Sequence, residues 1–248
     1  KNSHIYKYEK REFDNVYPLK YELLDEINGK INIDELAYLA HKINLSSHVL
    51  VITIPTEYGI IYSDEEILHL LEVAINSNIK IHIDGARFFY YTKSISEAYK
   101  KLFDYAESIT ISFTKFGTLF GEVLLLKEND NIKSIQLECL QKMSKSNYIP
   151  KQIYTFLEND CHIIYPLQSI KSAQYFKLKI LDKIHKNNII LPVETNIIYV
   201  KLSESSIDSL SERYSLSLSS NHKNTIRIVC NYSNTIEEID EFCKYILA

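Results

Sequence analysis

Two rhythms of apolar and polar positions alternate along the first half of the chain. "INIDELAYLAHKIN" repeats at helical spacing, with Asn32 as a cap, Glu35 three residues on, and Leu36, Leu39 and Ala40 on one face. "HVLVITIP" (His48 to Pro55) is a β-branched run, the pattern of a strand buried on both faces. "SDEEILHLLEVAINS" returns to the helical period, with Ser63 and Glu66 as a capping box and Ile67, Leu70, Leu71 and Ala74 as the stripe. "IKIHI" is a strand ending at Asp84. Ser94-x-x-Glu97 opens a helix through "EAYKKLFDYA", and "SITISF" (Ser108 to Phe113) and "GEVLLL" are strands. This β-α-β-α-β order predicts parallel strands joined by right-handed crossovers, hence an α/β fold with a mostly parallel sheet.

From about Asn131 the pattern changes. "IKSIQLECLQKM" and "SIKSAQYFKLKILDKIHKN" read as long helices, followed by "NIIYVKL", a helical "SIDSLSERY", "TIRIVCNY" and a helix capped by Thr235 and Glu238. That order predicts a smaller α+β domain over 151–248 after a large domain over 1–150, with the boundary near Pro150.

Composition narrows the function classes. The 248 residues are 46% hydrophobic and 24% charged, and the net charge of −4 comes with scattered lysines rather than a basic stripe, so no nucleic-acid partner is expected. No apolar run reaches the length of a membrane span, so no membrane partner is expected either. Cys139, Cys161, Cys230 and Cys243 lack metal-ligand spacing, which predicts reduced thiols, no metal and a cytoplasmic protein.

The chemistry gathers at two strand ends, Asp84-Gly85-Ala86-Arg87 and Ser112-Phe113-Thr114-Lys115-Phe116-Gly117. The aspartate and lysine lie 31 residues apart (115 − 84), one β-α-β unit. Ligands in open parallel sheets bind beyond the carboxyl ends of the strands. An aspartate and a lysine held there suit pyridoxal 5′-phosphate (PLP): the amine forms a Schiff base, and the carboxylate favours the protonated ring nitrogen. Ser112 and Thr114 offer hydroxyls to the phosphate. Each residue alone has a plainer reading. Asp-Gly after a strand is commonly a turn, a lysine is commonly solvated, and an arginine commonly makes a surface contact. No Gly-rich nucleotide loop is present.

"IHIDGARFF", a helix, "SITISFTKFG" and "GEVLLL" together resemble the threonine aldolase and β-eliminating lyase group of fold-type I PLP enzymes. "SHIYKYE" (Ser3 to Glu9), "IPTEYGIIYSDEEI", "TNIIYVKL" and "TIRIVCNYSNTIEEID" are similar to further family segments in the same order. The resemblance implies that Lys115 is the Schiff-base lysine, Asp84 the ring-nitrogen partner, and His4 the ring-stacking histidine and base. It implies that Arg227 grips the substrate carboxylate, with Arg87 near that carboxylate or the cofactor hydroxyl. A cross-strand ion pair is the plainer role for Arg227, and a loose terminal position for His4. The implied activity is a PLP-dependent lyase that cleaves a β-hydroxy-α-amino acid to glycine and an aldehyde, working as a homodimer or homotetramer. β-Elimination, transamination or a non-catalytic binding subunit are the alternatives. The chain departs from the family at Phe116, where glycine is usual, and at the single glycine of "EYG". It departs again at "QKMSKSNYIPKQ", where Lys142 stands in for a basic run. The family's phosphate-cradling segment, which precedes its histidine, has no counterpart in the residues from Lys1 onward. The expectation is therefore a large domain incomplete at its N-terminus, with the front part missing or on another chain, or else a degenerate homologue.

Overall fold

The computed structural model describes residues 3–15, 19–91, 95–119, 121–127, 147–219 and 221–246, with only the backbone of 12 and 13. In chain order the elements are α1 (His4–Tyr8), α2 (Lys10–Asn15), β1 (Glu26–Ile27), β2 (Lys30–Ile31), α3 (Ile33–Lys42), β3 (Val49–Thr53), α4 (Asp64–Ser77), β4 (Lys80–Gly85), α5 (Glu97–Tyr105), β5 (Ser108–Ser112), β6 (Glu122–Leu126), α6 (Tyr148–Glu158), α7 (Cys161–Leu181), β7 (Ile197–Lys201), α8 (Glu204–Ser211), β8 (Thr225–Val229) and α9 (Ile236–Lys244). The helix expected over Ile132–Met143, and with it Lys142, falls outside the described residues.

The chain divides into two compact units, Lys1–Glu57, Ile61–Phe88 and Lys93–Asn159 against Tyr58–Ile60, Phe89–Thr92 and Asp160–Ala248. The break lies at the end of α6, whereas the sequence places it near Pro150. Pro150 belongs to the first turn of α6, where its missing N–H costs nothing, so it opens a helix instead of separating two bodies.

The first unit is built on a four-stranded sheet in the order β3-β4-β5-β6. β3, β4 and β5 run parallel, and β6 returns antiparallel to β5. The helices between the strands begin where local chemistry sets them. Asn32 accepts from the Glu35 N–H at the head of α3, and Ser63 with Glu66 closes a full capping box on α4. At α5 the cap is Ser96, which accepts from the Tyr99 N–H, so the observed start lies two residues beyond Ser94. Such caps are each worth about 1 kcal/mol. Tyrosine hydroxyls tie the helix ends down. Tyr105 donates to the carbonyls of Ala74 and Ile79, and Tyr99 to that of Tyr62.

Strand alternation separates the two faces of this sheet. Leu50, Ile52, Ile81 and Ile83 are buried with Ile67, Leu70, Ala74 and Leu102 of α4 and α5. Thr53, His82, Asp84, Ser108 and Thr110 occupy the other positions and are only half-buried. Truncating Ile83 to alanine would cost about 2–5 kcal/mol, the usual range for a filled core site. The second unit pairs β7 and β8 antiparallel over a core that includes Ala173, Phe176, Ile180, Ile198, Val200, Ile226 and Ile239. Its long helix α7 starts at Cys161, ahead of the Ser169 that periodicity suggests, and carries Pro166 in its second turn. No described helix is long and apolar enough to cross a membrane.

Candidate active site

The parallel register builds the site. Asp84 lies near the carboxyl end of β4, opposite Thr53 at the end of β3 on one side and Thr110 in the middle of β5 on the other. Its Oδ1 accepts from the Ala86 N–H at 3.0 Å, which fixes the carboxylate over the following turn. Gly85 is still a strand residue, paired with Ile111. A Cβ there would sit 2.6 Å from the Thr110 carbonyl oxygen, so the glycine is required by close strand packing rather than by a left-handed turn. His82, two residues back on the same face, contacts Ser108 Oγ at 2.7 Å through Nδ1 and Thr110 Oγ1 at 3.4 Å through Nε2. Burial lowers its pKa, against a smaller upward pull from Asp84, so the ring beside the aspartate stays neutral at physiological pH.

Lys115 follows β5 in a single 3₁₀ turn, Thr114–Phe116. Phe113 and Phe116 are buried on either side and anchor the turn, and Gly117 closes it at φ 115°. The glycine expected directly after the lysine is thus displaced by one residue, and Phe116 serves as the anchor. Lys115 is exposed as a whole residue, yet desolvation is the largest influence on its amine and lowers its pKa. Arg87 lowers it further, while Glu57, Asp84 and Glu122 oppose the shift. These charges therefore lie close enough to act on one amine. Ser112 is buried and its Oγ lies 2.9 Å from Thr114 Oγ1. Thr118, also buried, has an Oγ1 with no hydrogen-bond partner among the described residues.

Arg87 is 8% exposed, and its Nη1 lies 3.0 Å from Oε2 of Glu57 in the loop after β3. The resemblance puts Arg87 near the substrate carboxylate or the cofactor hydroxyl, and the sequence reading passes over Glu57. The signal was topological: β3 and β4 are parallel neighbours, so the loops that leave their carboxyl ends emerge side by side.

The other two candidates have surroundings of their own. His4, exposed on α1, has its Nε2 3.7 Å from Glu9 Oε1 and its ring 4.9 Å from that of Tyr8. No contact between His4 and Asp84, Arg87 or Lys115 is found among the described residues. Arg227, in the second unit, sits on β8 opposite Tyr199 of β7, half-buried, with no ion pair found among the described residues. Cys230 and Cys243 are buried in that unit and their thiols are pushed up to about 12, which makes them unreactive core residues.

The donor set fits PLP. It holds a desolvated amine, a carboxylate one strand away, a buried arginine, and the orphaned Thr118 hydroxyl in the turn that follows the amine. Comparison with known proteins points the same way. The profile of the Beta-eliminating lyase family matches residues 1–228. A low-specificity L-threonine aldolase of Pseudomonas aeruginosa is 24% identical over 201 residues, covering 79% of this chain and 58% of that protein. The chain thus spans little more than half the length of this curated relative. The solved threonine aldolase of Leishmania major superposes with a TM-score of 0.81 at 18% identity, over 98% of this chain and 73% of that one. A PLP-bound C-S lyase of Staphylococcus hominis gives 0.62 at 15%, over 95% and 65%. At these identities the superpositions establish the fold, that of the fold-type I PLP enzymes, and nothing finer.

Proposed function

Because the chain belongs to the Beta-eliminating lyase family, we propose that it is a PLP-dependent lyase acting on a β-hydroxy-α-amino acid in the manner of a threonine aldolase. What supports this reading is the placement of Asp84 at the carboxyl end of β4, with Arg87 and Lys115 in the turns that follow β4 and β5. When bound, PLP supplies an aldehyde for an amine and an electron-withdrawing ring next to the substrate's reacting carbon. Lys115 Nζ is the nucleophile for that aldehyde. Burial raises its neutral fraction at a given pH, and once released it can carry a proton. Asp84, oriented by the Ala86 N–H, holds a proton on the ring nitrogen by charge attraction. Ser112, Thr114 and Thr118 supply hydroxyls for the phosphate. Arg87 and Arg227 are the cations for the substrate carboxylate, a group that a guanidinium binds at two points. His4 keeps Tyr8 and Glu9 as its described contacts and is given no step.

The test is covalent. Incubation with PLP followed by borohydride should leave a stable adduct that peptide mass spectrometry places on Lys115, and Lys115→Ala should leave none. Equal labelling of both proteins would overturn the reading. With the adduct in hand, release of glycine and acetaldehyde from threonine examines the reaction class. Light scattering on the loaded protein examines the dimer or tetramer that the reading carries with it.

A further inference from the structure

The Arg87–Glu57 contact is not built like a finished structural ion pair. Nη1 and Oε2 lie 3.0 Å apart, with both side chains largely removed from water (10% and 22% exposed). Yet Nη1 makes no aligned hydrogen bond, and Oε1 of Glu57 is buried with no partner among the described residues. An arginine–carboxylate pair kept for stability normally uses both oxygens in a parallel fork, because an unsatisfied buried charge is expensive. Here the contact found between the two side chains runs from one nitrogen to one oxygen, and among the described residues the second oxygen of the carboxylate is unused.

A carboxylate is also what an amino-acid ligand would bring. Among the groups that act on Lys115, Arg87 is the cation. A ligand whose amino group lies at Lys115 therefore has Arg87 as a carboxylate acceptor nearby, provided that Glu57 yields. We propose that Glu57 is a stand-in for the ligand carboxylate, resting on Arg87 while the site is empty and displaced when a carboxylate ligand arrives. The inference rests on reading the site as one that binds amino acids, but not on the cofactor's chemistry. Its consequence is a threshold. Ligand affinity falls by the fraction of molecules in which Arg87 is released, so a released fraction of about one-tenth weakens apparent binding about tenfold.

The sign separates this role from a supporting one. If Glu57 only steadied Arg87, removing its charge would weaken carboxylate binding; if it competes, removal strengthens binding. Acetate and glycine, with acetamide as the uncharged control, are titrated by calorimetry into the cofactor-free protein and its Glu57→Gln variant. The expected result is about tenfold tighter acetate and glycine binding to Glu57→Gln, unchanged acetamide binding, and loss of the gain in Glu57→Gln/Arg87→Gln. Equal or weaker acetate binding to Glu57→Gln would overturn the proposal. If Glu57→Gln does not fold, Glu57→Asp keeps the charge but shortens its reach, and should show a smaller gain of the same sign; no gain there has the same force. Repeating the titration in a Lys115→Ala background keeps this outcome separate from that of the PLP reading, since acetate needs neither the amine nor the cofactor.

Discussion

Arg87 and Arg227 show two ways of holding a guanidinium. Arg87 sits just past a parallel strand end in the first unit, nearly buried, with an internal carboxylate 3.0 Å away. Arg227 sits in the middle of an antiparallel hairpin in the second unit, half-buried across from an aromatic ring. The first is stabilised by a negative charge beside it, since a buried cation without a counter-charge is unfavourable. The second keeps part of its hydration and needs no such partner. A buried arginine is thus poised but obstructed, while a half-buried one is available at lower intrinsic strength.

The largest break in this comparison is expected from Arg87→Ala, which leaves Glu57 buried without its cation. Denaturant titration should show about 3 kcal/mol of lost stability, and the double variant Arg87→Ala/Glu57→Gln should recover most of it. Arg227→Ala should move the same titration by no more than about 0.5 kcal/mol. Its effect belongs in binding: affinity of the loaded protein for glycine should fall about tenfold, equivalent to about 1.4 kcal/mol. A large stability loss in Arg227→Ala would erase the contrast.

Proton chemistry sharpens it further. Adduct formation needs the neutral Lys115 amine, so its pH profile should lie below that of an exposed lysine. Arg87→Ala removes a lowering charge and should move the profile upward; Glu57→Gln removes a raising charge and should move it downward. The smallest effect belongs to His82. Its folded pKa is depressed, so the unfolded chain takes up a proton first, and stability is lost as pH falls below the ordinary histidine value of about 6.5. His82→Gln should flatten the dependence of the denaturation midpoint on pH in that window.

How much of this was legible in the sequence depended on range. Caps at Asn32, Ser63 and Thr235 are decided within four residues and were readable. The start of α5 was misread because two serines two residues apart compete for one cap, and only the fold picks Ser96. Asp84 and Lys115 could be paired because a single β-α-β unit separates them and parallel topology has one hand. Gly85 invited a turn reading because its real constraint, the Thr110 carbonyl, lies on another strand. Glu57 stayed hidden for the same reason: its partner is 30 residues away (87 − 57), and no local pattern marks an acid that will be buried.

The two-faced alternation of β4 has a consequence for how this site can change over time. Ile81 and Ile83 point to the packed side, and His82 and Asp84 to the half-open one. A single-residue insertion or deletion within Lys80–Gly85 would exchange the two sets, burying the carboxylate and exposing the isoleucines. Such a change is removed by misfolding before any loss of activity could be selected. Point substitution on the half-open face remains the one route by which this strand can acquire a new chemistry, and length variation is left to the loops beyond it.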